Sequence, residues 1–313
     1  MLPLAKSKKR IKELLFACLF LMPAVLHFAV YWVYINVDTI RLTFFEYLPM
    51  EGVYSFVGFK NYVNIFKDIF AGDDPQLQSA FFNSFNGVAI NIIVFPIAIV
   101  VAYAFYKKVP GTTFFRVVFY LPSVISMVAL CAAYREMFGS ETPGPFAQFF
   151  SFFGINPPHA WLSFEKGSKT FWPLIYMFCI FNGLGTNVIL ISSAMQRIPQ
   201  EVSEAAKLDG SGFFHELIHI TIPLIMPTIA TWAMLIFTSV FNFYMQPMLI
   251  SNEMANTTTD TTAWIIFRNI QNVYAPRNLI FAATLGIVAS VLIMPVTLTC
   301  RALLNRKSTE VTY

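Results

Sequence analysis

Six long apolar runs divide the chain: Glu13 to Ile35, about Ser84–Tyr106, Val117–Phe138, Phe171–Ser193, Leu224–Ile250 and Ile280–Leu304. Each supplies roughly the 20 residues that an α-helix needs to cross the hydrocarbon core of a bilayer. Several contain proline (Pro23, Pro96, Pro122, Pro173, Pro227, Pro295). Membrane helices tolerate it where neighbouring helices satisfy the freed backbone groups. The pattern therefore predicts an all-α membrane protein with six transmembrane helices. The basic opening, Lys6, Lys8, Lys9, Arg10 and Lys12, resembles the start of a signal peptide. The apolar run behind it is too long for one, and more spans follow, so an uncleaved first helix is expected.

Lysine and arginine set the orientation. With the N-terminus inside, the inner segments hold 13 cations: Lys6, Lys8, Lys9, Arg10, Lys12, Lys107, Lys108, Arg116, Arg197, Lys207, Arg301, Arg306 and Lys307. The outer ones hold 8, namely Arg41, Lys60, Lys67, Arg135, Lys166, Lys169, Arg268 and Arg277. The inner charges flank short connections, so both termini are predicted to be cytoplasmic. The expected organisation is a basic tail over 1–12, a first span over 13–35 and an external loop over 36–82. A five-helix core over 83–305 and a tail over 306–313 follow. The outer loops Asn36–Asn83, Gly139–Thr170 and Ser251–Leu279 are fairly polar, and the last includes the low-complexity patch Thr257–Thr262.

Composition agrees. Of 313 residues, 57% are hydrophobic and 12% charged, against roughly 45–50% and about 25% in an average soluble domain. So little charge cannot cover a globule of this size, which argues against a water-soluble enzyme. The 34 Phe and 13 Tyr argue against disorder. Cys18, Cys131, Cys179 and Cys300 all lie within or at the ends of apolar runs. They read as small apolar fillers, neither a disulfide framework nor a metal site.

One inner segment differs in kind. Residues 194–227 read AMQRIPQEVSEAAKLDGSGFFHELIHITIPLIMP. Pro199 suits a helix start, and Glu201 and Glu204 suit the positive end of its dipole. Gly210 can take the left-handed conformation that ends a helix, and Ser211 offers an N-cap for a second one running to Pro223. The small residues Ala205, Ala206 and Gly210 leave room for another backbone to approach. EAAKLDGS, Glu204 to Ser211, with Pro223 and Pro227 beyond, resembles the EAA signature of binding-protein-dependent ABC importer permeases. Ser211 stands where that family usually has Ala, and Leu217 where it often has Phe. FVGFKNYVNIFKD from Phe56, FYLPSVIS from Phe119 and WLSF from Trp161 are similar to the branch that handles oligosaccharides and glycerol 3-phosphate.

The resemblance implies a type I ABC importer permease fold in a bacterial plasma membrane. It implies a second homologous permease subunit, separate ABC ATPase subunits that bind ATP and Mg, and an extracytoplasmic solute-binding protein. The cargo would be a sugar or oligosaccharide, and nucleic acid has no place. The segment 199–223 would couple to the ATPase through Glu201, Glu204, Ala205, Ala206, Asp209 and Gly210. No GxxxxGK[ST] occurs, and Gly167-Ser168-Lys169 lacks the glycine spacing. The chain is thus expected to carry no ATPase site, no cofactor and no catalytic residue.

Two other readings compete. His215-Glu216-Leu217-Ile218-His219 matches HExxH, with two histidines at i and i+4 for Zn²⁺ and Glu216 as general base. Pro223 and Pro227 interrupt that helix, however, and no histidine follows to supply a third ligand. An ion-coupled secondary transporter would need acids inside the spans, and Glu136 near an outer end is the nearest candidate. Polar residues inside spans tend to line cavities. Asn182, Thr186 and Ser193 share a helix face in the fourth span, beside Gly183 and Gly185. Ser239, Asn242 and Gln246 do so in the fifth, beside Phe243 and Tyr244. Such a neutral, aromatic path suits sugar hydroxyls and pyranose faces, though the same residues also serve as interhelical glue.

Overall fold

The computed structural model describes residues 3–139, 144–154, 170–251, 256–271 and 275–307. The WLSF stretch from Trp161, His159, Gly167–Lys169, Glu253 and the tail from Ser308 lie outside these. The chain forms two compact units, residues 1–65 with 269–287 and residues 66–268 with 288–313.

In the first unit, α1 (Pro3–His27) runs through a π-helical stretch, Phe28–Tyr34, into α2 (Ile35–Leu42). The predicted first span is therefore longer than expected, reaching Leu42, and no residue from Lys12 to Leu42 is buried. An antiparallel hairpin follows, β1 (Phe45–Leu48) and β2 (Val53–Phe56), with Phe45 opposite Phe56 and Leu48 opposite Val53. Next comes α3 (Lys60–Phe66). Asn61 on α3 donates to the carbonyls of Thr43 (2.8 Å) and Phe45 (2.9 Å), which holds the helix against the hairpin.

The second unit holds the core. A π-helical turn, Lys67–Ala71, precedes α4 (Pro75–Ser84). Asp74 caps α4, accepting from the N–H groups of Gln76 (2.8 Å) and Leu77 (3.2 Å), with Pro75 in the first turn where no donor is needed. Then come α5 (Asn86–Tyr106), α6 (Thr112–Val124), α7 (Met127–Phe138), α8 (Pro145–Phe152), α9 (Phe171–Met195), α10 (Gln200–Leu208) and α11 (Phe213–Glu216). A π-helical stretch, Leu217–Thr221, leads through α12 (Ile222–Leu224) to α13 (Met226–Thr238). A 3₁₀ turn, Val240–Asn242, precedes α14 (Met245–Ile250), then α15 (Thr262–Gln271), whose residues from Asn269 belong to the first unit, and α16 (Pro276–Lys307), which belongs to the first unit as far as Ile287 and to the second from Val288.

The centre of this unit is α5 against α9. Val94, Ala98 and Ala102 recur at every fourth residue of α5, all buried, and join Ile175, Val188 and Ile191 of α9 in one apolar cluster. Helix α6 packs on α9 as well, and closely. A Cβ built on Gly185 would lie 2.3 Å from the carbonyl oxygen of Phe119.

Among the described residues four helices are long and apolar enough to cross a membrane, at Lys12–Leu42, Pro75–Tyr106, Phe171–Met195 and Pro276–Ala302. The third and fifth expected spans are not straight helices. Residues Thr112–Val124 and Met127–Phe138 meet at 100°, and Phe213–Leu224 and Met226–Thr238 at 76°. Counting each bent pair as one crossing restores six. The first bend follows Pro122, which lacks a ladder donor, and the β-branched pair Val124–Ile125; Ile125 and Ser126 are extended (ψ 143° and 131°). The second sits directly before Pro227. The expected run to Ile250 also stops early, at Thr238. There the hydroxyls of Thr238 and Ser239 donate to the carbonyls of Leu235 (2.9 Å) and Ile236 (2.8 Å), ending the helix locally.

The two glycines of α9 therefore differ. Gly185→Ala is expected to lower stability by about 1–3 kcal/mol, because the added methyl overlaps backbone. Gly183→Ala, whose Cβ would rest 3.6 Å from Val94, is expected to be neutral or stabilising by about 0.5 kcal/mol. Thermal unfolding of the two variants in detergent micelles checks the contrast.

Candidate functional site

Helix α10 begins after Pro199, which occupies the N-cap with ψ 140°. It ends as the glycine demands. Gly210 has φ +72°, its N–H donates to Lys207 O (3.1 Å), and the N–H of Ser211 donates to Ala206 O (3.0 Å). This pair of bonds is the Schellman closure, and it satisfies carbonyls that a helix end otherwise leaves open. The next helix starts one residue later than expected, with Gly212 rather than Ser211 at the N-cap of α11.

Of the six expected coupling residues, five are exposed: Glu201, Glu204, Ala205, Asp209 and Gly210. Ala206 is 3% exposed and faces inward, so the small face proposed for a partner is narrower than the sequence suggests. Two apolar side chains that the sequence reading passed over flank the turn instead. Leu208 is 89% exposed and Phe214 62%. Their signal was present, since in LDGSGFF a leucine precedes and two phenylalanines follow a polar DGSG turn.

Behind the segment lies a buried polar triangle that sequence reading also missed. Lys107, the C-cap residue just past α5, lies 2.5 Å from Oε1 of Glu216 on α11. Its Nζ also donates to the hydroxyl of Ser203 on α10 (2.7 Å), and that hydroxyl donates to the same Oε1 (3.1 Å). The Glu216 side chain is 5% exposed and that of Lys107 15%. Tyr103 packs over this site, with its ring 4.7 Å from that of Phe213 and 5.6 Å from the Lys107 ammonium. The acid of the HExxH pattern is thus committed to a lysine. His215 and His219 stack on each other at 4.4 Å, and both are exposed. Among the described residues no group of three His, Cys, Asp or Glu is placed to hold a metal. Glu136, the acid nearest a span interior, has a side chain 78% exposed.

The substrate-path residues divide. On α9, Thr186 and Ser193 face outward, away from the buried face of Leu184, Gly185, Val188 and Ile191, and Asn182 is half-buried. The Asn182 amide reaches the sulfur of Met127 at 3.9 Å, while Ser193 bonds back to Ile189 O (2.7 Å). Gly183 meets α5. Past α13, Asn242 is exposed and Gln246 half-buried, and Ser239 caps the helix. Phe243 packs into the core against Gly87. Among the described residues no hydrogen bond joins the two stripes. The sequence reading missed Asn187, which accepts from the Trp232 indole N–H (2.8 Å), and Tyr176, which donates to Asn86 (2.9 Å).

The patch Thr257–Thr262, expected as a polar loop, is for the most part buried. Asn83 donates to the carbonyls of Thr257 (3.1 Å), Thr258 (3.3 Å) and Asp260 (2.9 Å), and Ser84 pairs with Thr262 (3.0 Å). Gln76 donates to Asp260, whose carboxyl is pushed above the usual carboxylate range by burial, with Gln76 and Arg268 pulling the other way.

Residues 72–309 match the family described as "Binding-protein-dependent transport system inner membrane component". The chain is 27% identical over 256 residues to the probable ABC transporter permease protein YurN of Bacillus subtilis, covering 80% of this chain and 84% of YurN. It is 25% identical over 211 residues to the arabinooligosaccharides transport system permease protein AraP of the same species, covering 67% of this chain and 63% of AraP. Its fold matches a chain of a bacterial alginate ABC transporter solved in complex with an alginate pentasaccharide-bound periplasmic protein. The TM-score is 0.79 at 20% identity, over 96% of this chain and 98% of that one.

The two roles open to the HExxH segment make opposite predictions. Glu216→Gln, which leaves the Lys107 charge without its counterion, is expected to destabilise the protein by about 2–4 kcal/mol. His219→Ala, at an exposed position, is expected to stay within about 0.5 kcal/mol of the parent. Thermal unfolding of both, with zinc content read on the purified chain, distinguishes a structural acid from a metalloprotease base.

Proposed function

We propose, from the premise that this chain belongs to the binding-protein-dependent transport system inner membrane component family, that it is the permease subunit of an ATP-driven importer for a sugar or oligosaccharide. It pairs with a second, related permease and with two ATPase subunits, and receives its cargo from an extracytoplasmic binding protein. ATP and Mg are bound by the ATPase subunits, and this chain makes and breaks no covalent bond. Both termini lie on the cytoplasmic side, with the segment 199–223.

The observation that carries this reading is α10 itself. A nine-residue helix ends on a left-handed glycine and turns Glu201, Glu204 and Asp209 outward, with Leu208 standing free beside them. A leucine this exposed, in a segment between spans, suits an apolar pocket on a partner, and the carboxylates around it give that contact charge selectivity. The sugar cargo is supported by what the relatives carry: AraP is described as transporting arabinooligosaccharides, and the alginate transporter was solved with a pentasaccharide on its binding protein. The polar stripe of α9 fits such a path. Thr186 and Ser193 point away from the chain's own core, and although Ser193 bonds back to Ile189 O, hydrocarbon would leave the Thr186 hydroxyl poorly matched. A water-filled path shared with the second permease gives them a polar surround.

Two outcomes follow. With the importer reconstituted in liposomes and offered labelled arabinotriose, maltotriose and an alginate trisaccharide, the wild type takes up at least one in an ATP-dependent manner. Glu204→Lys reverses the charge of the docking face, and Gly210→Pro cannot adopt φ +72°. Both are expected to cut uptake at least about a hundredfold while the protein still inserts. Substrate-stimulated ATPase at the parental level in these variants would sink the coupling assignment. Asn182→Ala and Asn242→Ala are expected to weaken the apparent affinity for the transported sugar by about fivefold or more. Parental affinity in both variants removes them from the path.

A further inference from the structure

The triangle of Lys107, Ser203 and Glu216 lies outside the docking face and outside the substrate path, and neither role accounts for it. Its members come from three places in the chain: the residue just past the α5 span, the inward face of α10, and α11 after the Gly210 turn. The coupling segment is therefore gripped from both sides of its turn by one ammonium group. We propose that this triangle is the strut that makes α10, α11 and the end of α5 move as one body, so that a displacement of α10 by the ATPase is delivered directly to the α5–α9 core. Lys107 and Glu216 are positioning residues for transport, acting through α10 and never touching sugar or nucleotide. The inference rests on the docking role given to α10 above.

The geometry favours a mechanical link over simple packing. The three polar atoms close on one another at 2.5, 2.7 and 3.1 Å, so no member can shift without stretching two contacts. Around the triangle the segment is anchored by apolar residues as well. Ala206 and Leu217 are 3% and 2% exposed, and Leu217 belongs to the same cluster as Ala102 and Tyr103 of α5. Apolar contacts such as these resist separation but permit sliding, because their energy depends weakly on direction. Hydrogen bonds and the shared acceptor add the directional restraint. The ammonium sits one residue past a span, where the lysine stem crosses apolar surface and its head keeps some access to water.

The test uses the importer purified through a tag on this chain together with its co-expressed ATPase. Spin labels at Lys207→Cys on α10 and Val109→Cys just past α5 report the distance between the two elements, without nucleotide and trapped with ADP and vanadate. In the parent the distribution is narrow and the same in both states. Lys107→Met, and the milder Ser203→Ala, are expected to broaden it at least about twofold. They also raise the ATP hydrolysed per imported sugar, by about tenfold and about threefold respectively, with the ATPase still co-purifying in parental amount. The exchange Lys107→Glu with Glu216→Lys restores both readings to within about threefold of the parent. A distribution and coupling ratio unmoved in Lys107→Met and Ser203→Ala would overturn the strut, as would an exchange variant that inserts and co-purifies but recovers neither reading. ATPase that co-purifies undiminished with Glu204→Lys removes the docking role, and the strut with it. Loss of ATPase from Glu204→Lys alongside an unmoved ratio in Lys107→Met overturns the strut alone.

Discussion

Hydrocarbon offers a polar group no partner, so each amide, hydroxyl and backbone donor in this chain has to find one within the protein or reach water. That constraint decides where the helices stay regular and where they break. Inside α5 and α9 the asparagines turn on their own helix or on a neighbour: Asn91 donates to Gly87 O (2.8 Å), and Asn187 serves Gly183 O (2.9 Å) and the Trp232 indole at once. Where several such groups fall together, as at Thr238, Ser239 and Asn242, the side chains take over the carbonyls that the next turn would have used. The helix gives way to a 3₁₀ turn there. The bends before Pro227 and after Pro122 obey the same rule, because a proline nitrogen leaves a carbonyl open that packing must cover.

Legibility in the sequence follows the range of the interaction. The fourth span was readable almost to the residue, Phe171–Ser193 against Phe171–Met195, because a long, mainly apolar run free of charge, with proline confined to its first turn, admits few alternatives. The ends of α10 were readable too, since Pro199 and Gly210 impose their conformations by local sterics alone. What lay beyond sequence reading depended on distant partners. Ala206 looks like Ala205 until α10 is laid on its neighbours, and only then is one buried and the other exposed. Glu216 carries the same letters in a zinc motif and in an ion pair, and what separates them is a lysine 109 residues away. The patch Thr257–Thr262 had the composition of a loose loop, yet one asparagine on α4, Asn83, gathers three of its carbonyls.

The same contrast separates the two kinds of acid near the coupling turn. Glu201, Glu204 and Asp209 are solvated, and at such positions a carboxylate contributes little to the fold of its own chain. Their value lies in what approaches from outside. Glu216, a few residues on, is almost fully enclosed and spends its charge internally. One short segment thus presents charge to a partner on one side and anchors itself by charge on the other. The left-handed Gly210 allows both, because it reverses the chain between α10 and α11 and brings Ser203 and Glu216 to the same lysine.

A buried ion pair is a poor way to gain stability. Removing two charges from water costs several kcal/mol each, and an apolar pair of similar volume often holds a core at least as well. Its presence at the junction of α5, α10 and α11 therefore calls for a different justification, and direction supplies one. A helix that must carry a push from a soluble motor into a membrane core loses the stroke if its contacts slide. The neighbouring apolar cluster around Ala102 and Leu217 would let it slide along α5 at small cost. A lysine held by a carboxylate and a hydroxyl from two different elements fixes their register as well as their separation. Placing that lysine one residue beyond a span keeps its desolvation moderate, since the stem can reach toward water. Rigidity of register at the mouth of α5 is a property that apolar packing of the same volume would not provide, and it accounts for charge in a place where stability alone would have favoured leucine.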